Sequence, residues 1–110
     1  AYNGRCDVYT LQGEFDKALA DCDKAIEFKP KYTFAFINRG KVYDGKGDYK
    51  KAIADYTQAI ELNSRYANAY YYRGLTLAQK GDIDGARADF EKVLELNPYD
   101  ARARKKLEDL

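Results

Sequence analysis

The chain contains no histidine and no methionine, only two cysteines and two prolines, and no apolar run near the roughly 20 residues a membrane-spanning helix needs. Without histidine the commonest general base is missing, and with it every serine or cysteine triad that relies on an imidazole. Two thiols also leave a closed zinc site short of ligands. Carboxylates are plentiful but recur at regular positions, where solvation and helix capping account for them. Gly45-Lys46-Gly47-Asp48 lacks the first glycine and the closing Lys-Ser/Thr of a phosphate loop. We therefore expect no enzyme, no cofactor and no small-molecule substrate. A formal net charge of +1, with both signs interspersed, offers nothing to draw a polyanion from a distance. Nucleic acid is not an expected partner, although Arg102, Arg104, Lys105 and Lys106 form a local basic cluster. No signal-like segment opens the chain, so the cytoplasm is the default compartment expected, with no membrane association.

What the chain has instead is a period. Gly13, Gly47 and Gly81 lie 34 residues apart, and so do Ala18, Ala52 and Ala86. Three copies align without gaps from Tyr2, Phe36 and Tyr70. Small residues follow at Cys6, Gly40 and Gly74, then Tyr9, Tyr43 and Leu77, the glycines, and Phe15, Tyr49 and Ile83. After the alanines come Cys22, Tyr56 and Phe90, and then Ala25, Ala59 and Val93. Each unit closes at Pro30, Ser64 or Pro98. Self-similarity at such a period marks a stacked repeat architecture.

Within one unit the chemistry is that of a helical hairpin. Tyr70, Gly74 and Leu77 recur at the spacing of one helix face. Gly81-Asp82 then ends that helix and caps the next, because glycine tolerates positive φ and an aspartate accepts from free amides at a helix start. Gly47-Asp48 repeats the device, and Gly13-Glu14 is a weaker form. Ala86, Phe90, Val93 and Leu94 make the inner face of a second helix, which Pro98 terminates. The pattern predicts helices over 2–12, 15–28, 33–45, 48–62, 67–79, 82–96 and 100–109.

This order of large, small, aromatic, glycine, alanine, aromatic, alanine and proline resembles the tetratricopeptide repeat family. The resemblance implies an all-α fold, a right-handed superhelical stack of antiparallel helix pairs (an α-solenoid). The expected organisation is a single domain over 1–110, with repeats at about 1–32, 33–66 and 67–100 and a polar capping helix at about 101–110. Because Tyr2 already holds the first core position and no methionine precedes it, the chain reads as a piece of a longer array. Its first helix would then show an uncovered stacking face.

Two recurrences need a decision between structure and function. Cys6 replaces Gly40 and Gly74, and Cys22 replaces Tyr56 and Phe90, so both cysteines fall on core positions of the first hairpin. We expect buried thiols acting as small hydrophobes; a disulfide stays open, since both face one interhelical seam. Arg5 with Asp21, Arg39 with Asp55 and Arg73 with Asp89 repeat an arginine–aspartate pair in every copy. We expect these to be mortar, with the guanidinium forks engaging carboxylates of the same or the preceding hairpin.

The residues left over lie on the inner lining that the family resemblance implies, a concave groove formed by successive first helices that receives a peptide. It selects Asn3, Asp7 and Thr10 in the first copy, and Phe34, Ile37, Asn38 and Lys41 in the second. In the third it selects Asn68, Tyr71, Tyr72 and Leu75, with Arg102 and Lys105 continuing the surface on the cap. Phe34, Ile37, Tyr71 and Leu75 are apolar off the stripe the hairpin consumes, which is the mark of a surface awaiting a partner. Asn38 and Asn68 offer donor and acceptor to a peptide backbone.

Family members that hold the carboxylate end of heat-shock chaperones use a basic clamp in this groove. Here Asn38 matches, but Asn3 and Asn68 replace lysines, Tyr72 replaces an arginine and Asp7 replaces an asparagine. Asp7 would repel a terminal carboxylate, so a chaperone-tail adaptor is not the expectation. The expected function is a protein-interaction scaffold of modest affinity for a peptide or partner segment. The alternative is a homo-oligomer, formed when the uncovered first helix stacks on another copy or swaps elements with it.

Overall fold

A computed structural model describes residues 2–110 as seven α-helices in chain order, α1 (Tyr2–Leu11), α2 (Phe15–Phe28), α3 (Thr33–Gly45), α4 (Tyr49–Leu62), α5 (Ala67–Lys80), α6 (Ile83–Leu96) and α7 (Ala101–Asp109). The predicted boundaries hold to within a residue or so. No strand occurs among the described residues.

The glycine punctuation works as its spacing demands. Gly13, Gly47 and Gly81 are the positions with positive φ, at 77°, 80° and 98°, and each lets the following amide fold back onto the finished helix. Glu14 N–H donates to the Tyr9 carbonyl, Asp48 to Tyr43 and Asp82 to Leu77, at 2.8–2.9 Å, the hydrogen bond that closes a helix end through a left-handed residue. Asp48 and Asp82 then accept from the amides of Lys51 and Gly85. Glu14 makes no such side-chain cap, as its weaker version of the signal implied.

Each hairpin has the same seam with different occupants. A Cβ on Gly40 would sit 2.5 Å from the Tyr56 ring, and one on Gly74 would sit 2.8 Å from the Phe90 ring, so glycine is what lets these rings lie across the facing helix. In the first hairpin the corresponding pair is Cys6 and Cys22, which are joined in a disulfide with Cα atoms 5.4 Å apart. The expectation of buried free thiols is thereby corrected. Small side chains at both positions leave no ring in the seam, and the helices come close enough for the sulfurs to bond. Among the described residues, no helix is long and apolar enough to cross a membrane.

Hairpins are welded together by the arginine–aspartate pairs. Nε and Nη2 of Arg5, Arg39 and Arg73 each donate to the two carboxylate oxygens of Asp21, Asp55 and Asp89, at 2.6–2.8 Å. The third arm reaches backward: Arg39 Nη1 donates to Asp23 at 3.1 Å and Arg73 Nη1 to the Thr57 hydroxyl at 3.3 Å. One fork thus ties two helices of its own hairpin to the second helix of the preceding one. Apolar packing runs along the same line, with Val42 of α3 buried among Ala18, Cys22 and Cys6.

First helices of successive hairpins touch one another, α1 against α3 and α3 against α5, while no comparable packing joins α2 to α4 or α4 to α6. The stack is therefore tight on its first-helix side and splayed on the other. That tight side is the inner wall of the curve. At the far end, Ala103 of α7 is fully buried against the last hairpin, at the register held by Ala35 and Ala69, so α7 packs where a first helix packs on the preceding hairpin.

Candidate peptide-binding groove

The inner wall is built from the exposed faces of α1, α3, α5 and α7, and its polar members bind each other at about the spacing of the repeat. Asn38 Nδ2 donates to Asn3 Oδ1 at 2.9 Å. Lys41 Nζ lies 3.6 Å from an Asp7 oxygen and 5.0 Å from the centre of the Tyr72 ring. Arg102 Nη2 donates to Asn68 Oδ1 at 2.8 Å, and it also pairs with Asp100. Asp7 with Lys41 and Asn68 with Arg102 join equivalent positions of adjacent repeats, and Asn3 with Asn38 joins positions one residue out of that register, so together they form rungs across the floor. The carboxylate of Asp7 is already met by Lys41, Asn38 Nδ2 reaches both the side-chain and main-chain oxygens of Asn3, and Asn68 accepts from Arg102 while its Nδ2 donates to the Tyr66 hydroxyl.

Aromatic rings supply most of the remaining surface. Phe34 is 42% exposed and stands edge-on between Tyr32 and Tyr66, with centroids 5.6 and 4.9 Å away. Tyr72 stacks on Tyr56 at 6.0 Å and meets Tyr71 edge-on. Tyr71 leans on Phe90 on one side, and the Arg102 guanidinium covers its ring at 4.3 Å on the other, close enough for a cation–π contact. A cleft of about 240 Å³ between α1, the end of α2 and the following turn extends the wall beyond Asn3, lined by Tyr2, Ala25, Phe28, Lys29 and Tyr32.

Not every selected residue faces the groove. Ile37 is only 4% exposed and belongs to the core with Phe36, Tyr56, Ala59 and Ala69. This corrects its assignment as a ligand anchor. The alanine at 69 leaves room for a branched side chain between adjacent hairpins, and burial in that gap is worth more than exposure. Leu75 is half-buried beside the last core cluster and offers only an edge. Thr10 turns back to the Cys6 carbonyl of its own helix. Lys105 pairs along α7 with Asp109 at 3.6 Å.

One group on the floor escaped the sequence reading. Asp44 accepts from the Tyr56 hydroxyl at 2.6 Å, and the Thr76 hydroxyl lies 2.8 Å from both its oxygens, so it clamps three helices, α3, α4 and α5. Burial pushes its carboxyl above the usual range, with the hydrogen bonds from Tyr56 and Thr76 pulling the other way. Burial and the neighbouring carboxylate push the Tyr56 hydroxyl up as well, so it stays a donor. A clue was present in the chain: the second copy alone has tyrosine at this core position, and it alone has an acid at 44, where the others carry Thr10 and Ala78. Tyr66 and Tyr32 were missed too, because they lie in the connections rather than on a helix stripe.

Comparison with known proteins agrees with this architecture. The tetratricopeptide repeat profile matches residues 37–101, more than half of the chain, and a second profile of the same description matches residues 1–32. Among solved structures, the chain is similar to the first tetratricopeptide domain of Spaghetti (RPAP3) bound to the HSP90 peptide SRMEEVD, with TM-score 0.92 and 28% identity over 98% of this chain and 86% of that one. It is similar to the second such domain of human RPAP3 in complex with the HSP70 peptide SGPTIEEVD, with TM-score 0.90 and 28% identity over 99% and 91%. A tetratricopeptide repeat protein from Parabacteroides merdae gives TM-score 0.84 and 30% identity, over 94% of this chain and 41% of that one. Among curated proteins none matches.

Proposed function

The chain belongs to the tetratricopeptide repeat family, and from that footing we propose that its inner wall receives a peptide or partner segment through the rings of Phe34, Tyr71 and Tyr72. The observation that carries the reading is the exposure of Phe34 within an aromatic row, on the face built by successive first helices. The similar RPAP3 domains hold acidic chaperone peptides. In this chain the clamp positions carry Asn3, Asp7, Asn68 and Tyr72 instead of the family's basic and amide set, and Asp7 is committed to Lys41. The preferred ligand is therefore a segment with apolar side chains for the rings and its acidic residues displaced toward Arg102. A free carboxylate terminus is not required.

Each apolar side chain buried against the rings contributes about 1.5–3 kcal/mol, against an association cost of roughly 4–15 kcal/mol. Affinity in the micromolar range follows. The test is a pull-down from cell extract with the wild-type chain beside the double variant Phe34→Ala/Tyr71→Ala, with thermal melting of both. Partners lost by the variant at an unchanged midpoint support the proposal. Equal capture by both proteins would refute it.

A further inference from the structure

One set of positions recurs in every hairpin around the space between its two helices and the connection that follows, and the copies fill that space differently. In the second hairpin Phe36, Ile37, Ala59, Leu62 and Tyr66 pack into one core. In the third, Tyr70, Tyr71, Val93 and Leu96 do so. The first hairpin carries Tyr2, Asn3, Ala25, Phe28, Lys29 and Tyr32 at these positions, and there a cleft of about 240 Å³ stays open. Asn3 is the main cause. Where Ile37 drops its side chain into the core, at 4% exposed, Asn3 turns its Oδ1 to Asn38 Nδ2 at 2.9 Å. Ala25 is also smaller than the Val93 that helps to close the third site. Phe28 is left 70% exposed, stacked on Tyr2 at 5.7 Å, while Leu62 and Leu96 at its register are half-buried. The opening thus follows from residue type within the hairpin, since its counterparts are closed by their own side chains at 37 and 71.

The rings of Tyr2, Phe28 and Tyr32 make apolar walls, and a cation stands at the mouth, with Lys29 Nζ 5.4 Å from the centre of the Tyr32 ring. Lys29 and Lys31 are exposed and form no ion pair among the described residues, and the adjacent acid, Glu27, lies 3.9 Å from Lys24 instead. Asn63 and Asn97 hold the Lys29 position in the other copies. The cation therefore belongs to the open site alone. Asn3 Nδ2 makes no hydrogen bond among the described residues, its oxygens being the atoms that meet Asn38, so it is a donor for a ligand carbonyl. We infer that the cleft is an anchor pocket for a peptide, taking one branched aliphatic side chain in the place that Ile37 fills in the second hairpin, with the carboxylate of a neighbouring ligand residue on Lys29. Burial of the aliphatic group supplies the affinity. The charge sets the preference, because an exposed ion pair adds little but a like charge at Lys29 is repelled. This pocket rests on the reading of the inner wall as a peptide site, which it extends past Asn3.

The probe is the blocked peptide acetyl-Gly-Ile-Glu-Gly-amide, titrated into the full isotope-labelled chain beside two companions, one with alanine for isoleucine and one with lysine for glutamate. We expect saturable shifts at Asn3, Phe28, Lys29 and Tyr32 at millimolar peptide, and at least about tenfold weaker binding of the alanine probe. Asn3→Ile plugs the cleft from within and should abolish the shifts at a melting midpoint no lower than that of the wild type. Ala25→Val, which copies the third hairpin, should weaken binding in the same direction. Lys29→Glu should reverse the order of the glutamate and lysine probes, which a change in folding alone would not do. No shifts at millimolar peptide, equal binding of the alanine probe, or shifts confined to the stretch from Phe34 to Tyr71 would overturn the inference. The probe is too short to span the wall, so the two readings fail separately. A bound probe with equal partner capture by Phe34→Ala/Tyr71→Ala would keep the pocket and sink the wider groove reading, whereas a silent probe with capture lost in that variant would overturn the pocket alone.

Discussion

Replacing Cys6 and Cys22 by alanine removes the one covalent tie between α1 and α2, and the structure sets the size of the loss. The bond spans a sequence separation of 16. Closing a loop of that length restricts the unfolded chain by about 3 kcal/mol. A domain of this size loses on the order of 4 °C of melting temperature per kcal/mol, so the alanine variant should melt about 12 °C below the oxidised wild type. Reductant should bring the wild type most of the way to the same midpoint and leave the variant unmoved. A second substitution separates the tie from the packing: Cys6→Gly with Cys22→Tyr installs the glycine and ring that fill this seam in the second hairpin. It should recover part of the lost stability and be indifferent to reductant. Because stability in a repeat stack is transmitted only between neighbours, the damage should be local. Amide exchange should accelerate in α1 and α2 while α5 and α6 keep their protection. Scanning calorimetry with and without a dithiol reads the first quantity, and exchange mass spectrometry the second. A wild-type midpoint indifferent to reductant, or equal loss of protection along all seven helices, would refute this account.

Other perturbations test the mortar and the floor. Arg39→Ala leaves Asp55 buried without its fork and should cost about 3 kcal/mol, seen as a lower denaturant midpoint. Arg5→Ala, at a more exposed fork, should lower that midpoint by less. Asp44 has its pKa raised in the fold, chiefly by burial, so the folded state favours its protonated form. The stability it contributes is present below the ordinary carboxylate range and lost as pH rises through the raised value. Asp44→Asn should remove that loss, leaving stability flatter just above pH 4 and no lower at neutral pH, as urea melts across pH would record. Asp21 and Asp100 behave oppositely: Arg5 and Arg102 hold their carboxyls below the usual range. Their contribution is present above the ordinary value and lost as pH falls through the lowered one, so acid unfolding of Asp44→Asn should survive below pH 4.

Helices, turns and stacking were legible because each depends on residue type at a fixed register. A glycine with φ of 77–98° needs no knowledge of the third dimension, nor does an alanine where two backbones approach. The groove was harder to read because its register is shared with the junction between repeats. Asn3, Ile37 and Tyr71 occupy the same position, yet Asn3 bonds across the wall to Asn38, Tyr71 leans on Phe90 beneath Arg102, and Ile37 sinks into the core. Which way each side chain turns is decided by the space left by its neighbour, and Ala69 left it for Ile37. The cysteines posed a similar ambiguity. Their placement on one seam was visible, but bonding depended on a helix separation that only the folded chain specifies.

The rungs across the wall bear directly on recognition. Asn3 with Asn38, Asp7 with Lys41 and Asn68 with Arg102 each join residues about one repeat apart, so the polar groups that line the groove also hold its curvature. A ligand that seeks these amides must exchange one hydrogen bond for another, which is close to neutral in free energy. The exposed ring of Phe34 carries no such prior hydrogen-bonding commitment. Water leaves Phe34 only when something apolar covers it. Affinity should therefore follow the apolar side chains of the ligand, while the rungs fix the spacing at which those side chains must be presented. Arg102 joins the two roles, since it covers Tyr71, braces Asn68 and is held by Asp100. An acidic group on the ligand would meet a cation already oriented by three contacts, at little further cost in side-chain order.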